Sequence, residues 1–255
     1  MMKQKSILFA LLLSIGCFVA CGTSKEKVVE EAEEEIVFNR MEGDSTIYGM
    51  ACDGCNDTVV VFLEMPYTGT DPDTLNILQA SRLRKVFGKP RIGDKLAIVR
   101  NATDTTKADM VIVTDNLQGN WCYKVLPTLR VRADMEGHTI KQKIDKLPDS
   151  IANLLKVERE YGISIKADNV AFPIGMNRQR ATTDEESPVE YPKLKFYNEW
   201  FIYNGKIILR GVRTDSIGEQ VVMHSDTADL EMLTPDTLVF RFAEGLRGYY
   251  KKTEE

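Results

Sequence analysis

Phe201-Ile202-Tyr203-Asn204-Gly205-Lys206-Ile207-Ile208-Leu209 is the stretch whose reading decides the fold class. Two runs rich in β-branched and aromatic residues flank Asn-Gly, the pair that best tolerates positive φ at both central positions of a type I′ turn. The stretch therefore predicts a β-hairpin with a two-residue loop. Further along, Leu230 and Met232, then Thr234-Pro235-Asp236, then Leu238, Phe240 and Phe242 predict a second hairpin, alternating on its second arm. Gly248-Tyr249-Tyr250-Lys251 reads as a closing strand. Toward the N-terminus, residues 45–52, 58–64, 96–100 and 110–114 read as short strands, and Pro66 stops the run Val59-Val60-Val61-Phe62-Leu63. A helix is expected over residues 78–87, closed by Gly88 and Pro90. A second is expected over residues 149–159, with Ile151, Leu154 and Leu155 on one face. The fold class is mainly all-β: a small OB-like β-module at residues 44–115, then an antiparallel β-barrel at residues 116–255, with one or two short helices. Residues 182–192, polar and flanked by prolines, are expected to form a mobile loop. The segment 137–159 has no place on a standard eight-strand barrel.

Composition narrows the function. The 255 residues are 43% hydrophobic and 28% charged, enough for a buried core. The net charge is -5, and nucleic-acid binding, which needs a basic face, is not expected. Two histidines, His138 and His224, argue against a multi-histidine metal site. No Gly-x-Ser-x-Gly elbow, His-Glu-x-x-His or phosphate-binding glycine loop occurs, so the chain is expected to be no enzyme and to use no cofactor. Asp184, Glu185 and Glu186 read as a solvated loop. His224 and Asp226, two apart on an expected strand, read as surface residues.

The first residues carry an address. Lys3 and Lys5 precede an apolar run over residues 7–20 that is too short to span a bilayer, and residues 1–20 read as a signal peptide. The run ends at Ala20-Cys21-Gly22. A small residue followed by cysteine resembles the lipobox of bacterial lipoproteins, which implies lipidation of Cys21 by acyl chains such as palmitate. Cys17, after Ser14-Ile15-Gly16, is a second candidate; Cys21 is preferred because polar sequence starts directly after it. Residues 21–43 then form the lipidated N-terminus and an acidic flexible tether. Several acyl chains on one residue give stable membrane anchoring. The expected location is the cell envelope, as an outer membrane lipoprotein.

The second half carries a further resemblance. Leu117-Gln118-Gly119-Asn120-Trp121 resembles the Gly-x-Trp motif of lipocalins, in which the Trp plugs one barrel end. Residues 161–166, 172–176, Trp200 with 204–209, and 226–240 follow in an order that resembles bacterial lipocalin-like lipoproteins. The resemblance implies a barrel that encloses one small apolar molecule or is filled by its own side chains. Among Phe196, Tyr197, Trp200, Phe201, Tyr203, Phe240, Phe242, Tyr249 and Tyr250, the candidate ligand-binding residues are Trp200 and Phe240. The ligand would be a hydrophobic small molecule or lipid, bound with little dependence on salt. The alternative is a structural or interaction module of the envelope with no enclosed ligand.

Gly49-Met50-Ala51-Cys52-Asp53-Gly54-Cys55 resembles the metal-binding loop of heavy-metal-associated domains, but a strand rather than a helix is expected after it. Asp53-Gly54 instead reads as a hairpin tip that sets Cys52 opposite Cys55. The leading expectation is a disulfide between them, as suits an oxidising envelope. A redox-active dithiol and a soft-metal site remain alternatives. Cys122 is expected to be a buried, inert thiol.

Overall fold

The computed structural model describes residues 41–130, 147–175 and 188–253. Cys17, Cys21, His138, Asp184, Glu185, Glu186, the leader and most of the tether lie outside them. Residues 36–255 make up one compact unit.

Its first sheet holds β1 (Ile47–Ala51), β2 (Val59–Glu64), β3 (Asp73–Asn76), β4 (Val86–Phe87), β5 (Lys95–Arg100) and β6 (Ala108–Val113), in the spatial order β3-β2-β1-β5-β6-β4. A parallel bridge from Asn76 to Lys107 brings the end of β3 to the start of β6 and nearly closes five of these strands. With helix α1 (Leu78–Arg82) following β3, this is the OB arrangement. The helix is shorter than expected. Arg84 takes φ 57, and Val86 and Phe87, better suited to a strand, pair in parallel with Val111 and Ile112.

Helix α2 (Thr114–Leu117) leads into the second sheet, so residue 116 falls inside the connection. There follow β7 (Gly119–Val125), β8 (Thr128–Leu129), α3 (Asp149–Leu154), β9 (Arg159–Ile165), β10 (Ala171–Ile174) and β11 (Val189–Glu190). The chain ends with β12 (Glu199–Tyr203), β13 (Lys206–Thr214), β14 (Gln220–Leu233), β15 (Thr237–Phe242) and β16 (Gly245–Lys252). The spatial order of the large sheet is β10-β9-β7-β16-β15-β14-β13-β12. Each strand neighbours the next along the chain, the last returns to the first, and a Val170–Glu199 bridge links the two edges. This is an up-and-down, nearly closed eight-stranded barrel of lipocalin-like topology. β8 and β11 pair separately. The helix expected at 149–159 stops at Leu154 and buries no residue, because Arg159 already belongs to β9.

The two sheets share a core. Leu96, Ile98, Val111 and Val113 fill the OB module, while the intervening Ala97 and Ile112 join Tyr48, Phe87 and Leu117 in one cluster with the barrel's Trp121, Ile202 and Phe240. β5 and β6 are thus buried on both faces, which explains their unbroken apolar runs. The hairpin at Asn204-Gly205, with φ 48 and 79, seals this junction. Asn204 N donates to Asp44 Oδ1 at 2.9 Å, and Tyr48 Oη donates to the Ile202 carbonyl at 3.0 Å. A Cβ at Gly205 would come within 2.8 Å of Met110 Sδ, so glycine serves both the turn and the close approach.

Candidate ligand-binding site

Inward alternation fills the barrel at the module end. Trp121, Ile165, Ile207 and Leu238 are fully buried there, and Phe240 is fully buried beneath the cavity, against Phe242 and Tyr249. Trp121 Nε1 donates to the Leu117 carbonyl at 2.7 Å, and Lys251 Nζ lies 5.1 Å from the indole centre. Trp200 Nε1 donates to the Lys166 carbonyl at 2.8 Å. Each indole therefore has its polar atom satisfied by the backbone, as a buried Trp requires.

The other end is open. A cavity of about 310 Å³ lies between β7, β9, β13, β14, β15, β16 and the segment 192–197. Its deep wall is apolar and buried: Ile163, Leu209, Phe242 and the rings of Tyr197 and Tyr249. Its rim carries exposed Lys193, Lys195, Glu244 and Arg247. The tyrosines are held edge to face, with Tyr123 5.2 Å from Tyr249 and 6.2 Å from Tyr161 between ring centres.

Polar groups on one wall form a connected set. Asp226 accepts hydrogen bonds from Tyr197 Oη and, at 2.7 Å, from Lys195 Nζ. Lys195 also lies 3.5 Å from Glu244. Burial works to raise the Asp226 pKa, but the bonds from Lys195 and Tyr197 outweigh it, and the carboxyl is held below its ordinary value. Burial and the adjacent Asp226 push the Tyr197 phenol well up. Burial likewise pushes Tyr249 up to about 12, with Arg247 opposing, and raises Tyr123. These phenols therefore stay protonated at neutral pH. His224 packs 5.3 Å from the Tyr197 ring, and its Nε2 is buried with no hydrogen-bond partner among the described residues. Gly211 makes room for it: a Cβ there would lie 2.3 Å from His224 Cε1. Asp226 and His224 share one side of β14, as their spacing requires, but that side is the partly enclosed inner one. Their reading as surface residues is corrected accordingly.

Other expected site residues sit elsewhere. Trp200 and Phe240 belong to the packed core and do not line the cavity. Cys52 and Cys55 are free, and the bridge between them is not formed in this structure. The reason is the hairpin path. Asp53-Gly54 does form a turn, with Gly54 at φ 95, and Cys52 N bonds to the Val61 carbonyl, but a second turn closes between Asn56 and Val59. Asn56 Oδ1 organises that turn by accepting from Thr58 N and Val59 N. Cys55 Sγ is then spent on Val61, donating to its carbonyl at 3.2 Å and accepting from its N–H at 3.3 Å. The residues that sequence reasoning missed are Tyr123, Asp226, Arg247 and Lys195. A usable signal existed in Arg247, Tyr249 and Lys251, which occupy alternate positions of the closing strand and so share one face.

No family model matches the chain, and no curated protein matches it. Among solved structures, it is similar to a lipocalin-like protein from Bacteroides thetaiotaomicron VPI-5482, at 19% identity and a TM-score of 0.26, covering 53% of this chain and 95% of that one. The fold assignment rests on the strand order alone.

Proposed function

We propose that this chain is a non-enzymatic, lipid-anchored protein of the bacterial cell envelope that binds a small, largely apolar molecule in the mouth of its eight-stranded barrel. The cavity of about 310 Å³ carries the reading. It sits at the lower end of the range of roughly 300–1,000 Å³ typical of small-molecule sites, and it combines buried apolar walls with a few convergent polar groups. Titration with a neutral apolar fluorophore such as 1-aminoanthracene tests it. Saturable one-to-one binding that is lost in Leu209→Trp, which fills the cavity floor, supports the reading. No saturable binding would favour a structural or interaction module, a reading to which the filled module end of the barrel already lends weight. Anchoring and an outer membrane location rest on the sequence order ending at Cys21. Cys21→Ser should abolish labelling by a palmitate analogue and release the protein from membranes, whereas unchanged labelling would move the anchor to Cys17 or refute lipidation.

A further inference from the structure

We infer that the molecule bound in the barrel mouth is an amphipathic carboxylate, its head held by Arg247 and Tyr249 and its apolar body directed at Phe242, Ile163 and Leu209. The inference rests on the cavity being a ligand site and adds the chemical class of the ligand.

Arg247 and Tyr249 lie two apart on β16 and both line the cavity. The guanidinium carbon of Arg247 lies 5.3 Å from the Tyr123 ring centre and 5.2 Å from that of Phe242. Cation–π contacts of this kind stabilise the charge without using up the guanidinium's capacity to donate to an acceptor. Tyr249, two residues along the same strand, brings its phenol to the same cavity, where its O–H can donate to an anion beside Arg247.

What Arg247 lacks is equally specific. Among the described residues no carboxylate forms an ion pair with it, although two carboxylates line the same cavity. Both of these, Asp226 and Glu244, are engaged by Lys195. Lys193, Lys195 and Arg247 thus outnumber Asp226 and Glu244, which leaves the mouth net positive in a chain of net charge -5. A planar cation flanked by two aromatic rings, with a phenol donor in the same cavity, matches the two oxygens of a carboxylate better than a single-point acceptor. The buried wall beneath is apolar, so the complementary molecule has one anionic end and one apolar end. The cavity of about 310 Å³ limits that body to a short chain or a small fused-ring system.

Three probes of equal chain length test this on the full chain: octanoate, 1-octanol and octyltrimethylammonium, each competing with 1-aminoanthracene. Octanoate should displace the fluorophore at a concentration at least about tenfold below octanol, and the cation should be weakest. Added salt should narrow the gap. Arg247→Gln should abolish the preference for octanoate, and Tyr249→Phe, which keeps the ring packing, should reduce it several-fold. If octanol matches octanoate in the unaltered protein, or if both variants keep the preference, the carboxylate assignment is overturned while the cavity remains a ligand site. If the fluorophore itself never binds saturably, the ligand site fails and this inference with it.

Discussion

The two ends of the eight-stranded barrel obey the same alternation and reach opposite outcomes. At the module end the inward positions carry Trp121, Ile165, Ile207 and Leu238, and the OB module with the connecting helix α2 covers them with Tyr48, Ala97, Ile112 and Leu117. At the mouth, inward positions of β7 and β16 carry Tyr123, Arg247 and Tyr249, and a cavity remains. Side chains with a polar tip cannot be packed tip to tip without partners, so they hold space open. One end thus supplies stability and the other is free to be shaped for binding.

The most severe test of this division is truncation in the filled core and at the open mouth. Phe240 is fully buried against Phe242 and Tyr249 at ring distances of 5.9 and 5.8 Å. Phe240→Ala should cost about 3–5 kcal/mol in urea denaturation. Tyr123→Ala, at the mouth, should cost only about 1–2 kcal/mol, since one side of the ring already faces the cavity. Equal losses would erase the distinction between core and mouth.

Alkaline pH separates them differently. Tyr249 is buried and pushed up to about 12, and Tyr197 moves in the same direction. A phenol whose folded pKa lies above its unfolded value near 10 binds its proton more tightly in the native state. The stability this confers is complete below pH about 10 and is lost as pH rises through about 12, on the order of 2 kcal/mol for Tyr249. Urea midpoints between pH 9 and 12, read beside the tyrosinate absorbance, should fall over that window in the unaltered protein. Tyr249→Phe should flatten part of the fall. A fall already complete by pH 9 would mean that the mouth tyrosines are not what titrates.

The module-facing hairpin gives a smaller effect. Gly205→Ala places a Cβ at φ 79, 2.8 Å from Met110 Sδ and 3.0 Å from Val99 Cγ2. The methionine can yield, so a loss of about 1 kcal/mol is expected, from backbone strain more than from the clash. A neutral substitution would show that the two sheets are not tightly registered at this tip.

The same contrast explains what the sequence could show. The module end was legible because its signals are apolar and periodic. Asn204-Gly205 and the alternation from Leu238 point to the hairpins found, and the helix expected from Leu78 is present but ends at Arg82 rather than Phe87. The mouth was not, because inward-facing Arg247 and Asp226 look in sequence like any solvated strand residue. Only barrel closure, which sets β16 beside β7, shows which face they occupy. Trp200 and Phe240 attracted attention as aromatic residues on strands, yet strand position alone does not say at which level of the barrel a ring lies. The Cys52–Cys55 reading turned on a turn type. The turn at Asp53-Gly54 is present, but Asn56 adds a second turn after it and Cys55 Sγ is engaged by the Val61 backbone rather than by Cys52.

That turn leads to the least energetic prediction, which extends the comparison to thiol chemistry. Cys122 is on β7, fully buried, and burial pushes its thiol up. The reacting species is the thiolate, and both its scarcity and its inaccessibility oppose alkylation. Cys52 and Cys55 are half-buried at the margin of the OB module, with Sγ contacts to Met50 and Val61 backbone atoms rather than to each other. Under reducing conditions, iodoacetamide should label the peptides carrying Cys52 and Cys55 in the folded protein, and the Cys122 peptide only after denaturation. Alkylation of Cys52 should change stability little, while that of Cys55, which packs against the module core, should cost somewhat more. The same labelling without reductant decides the older expectation for this pair. If Cys52 and Cys55 resist alkylation until reductant is added, the loop closes into a disulfide on oxidation, and the Cys55–Val61 hydrogen bonds belong to the reduced form alone. If they label equally with and without reductant, those bonds hold Cys55 away from Cys52 in either medium.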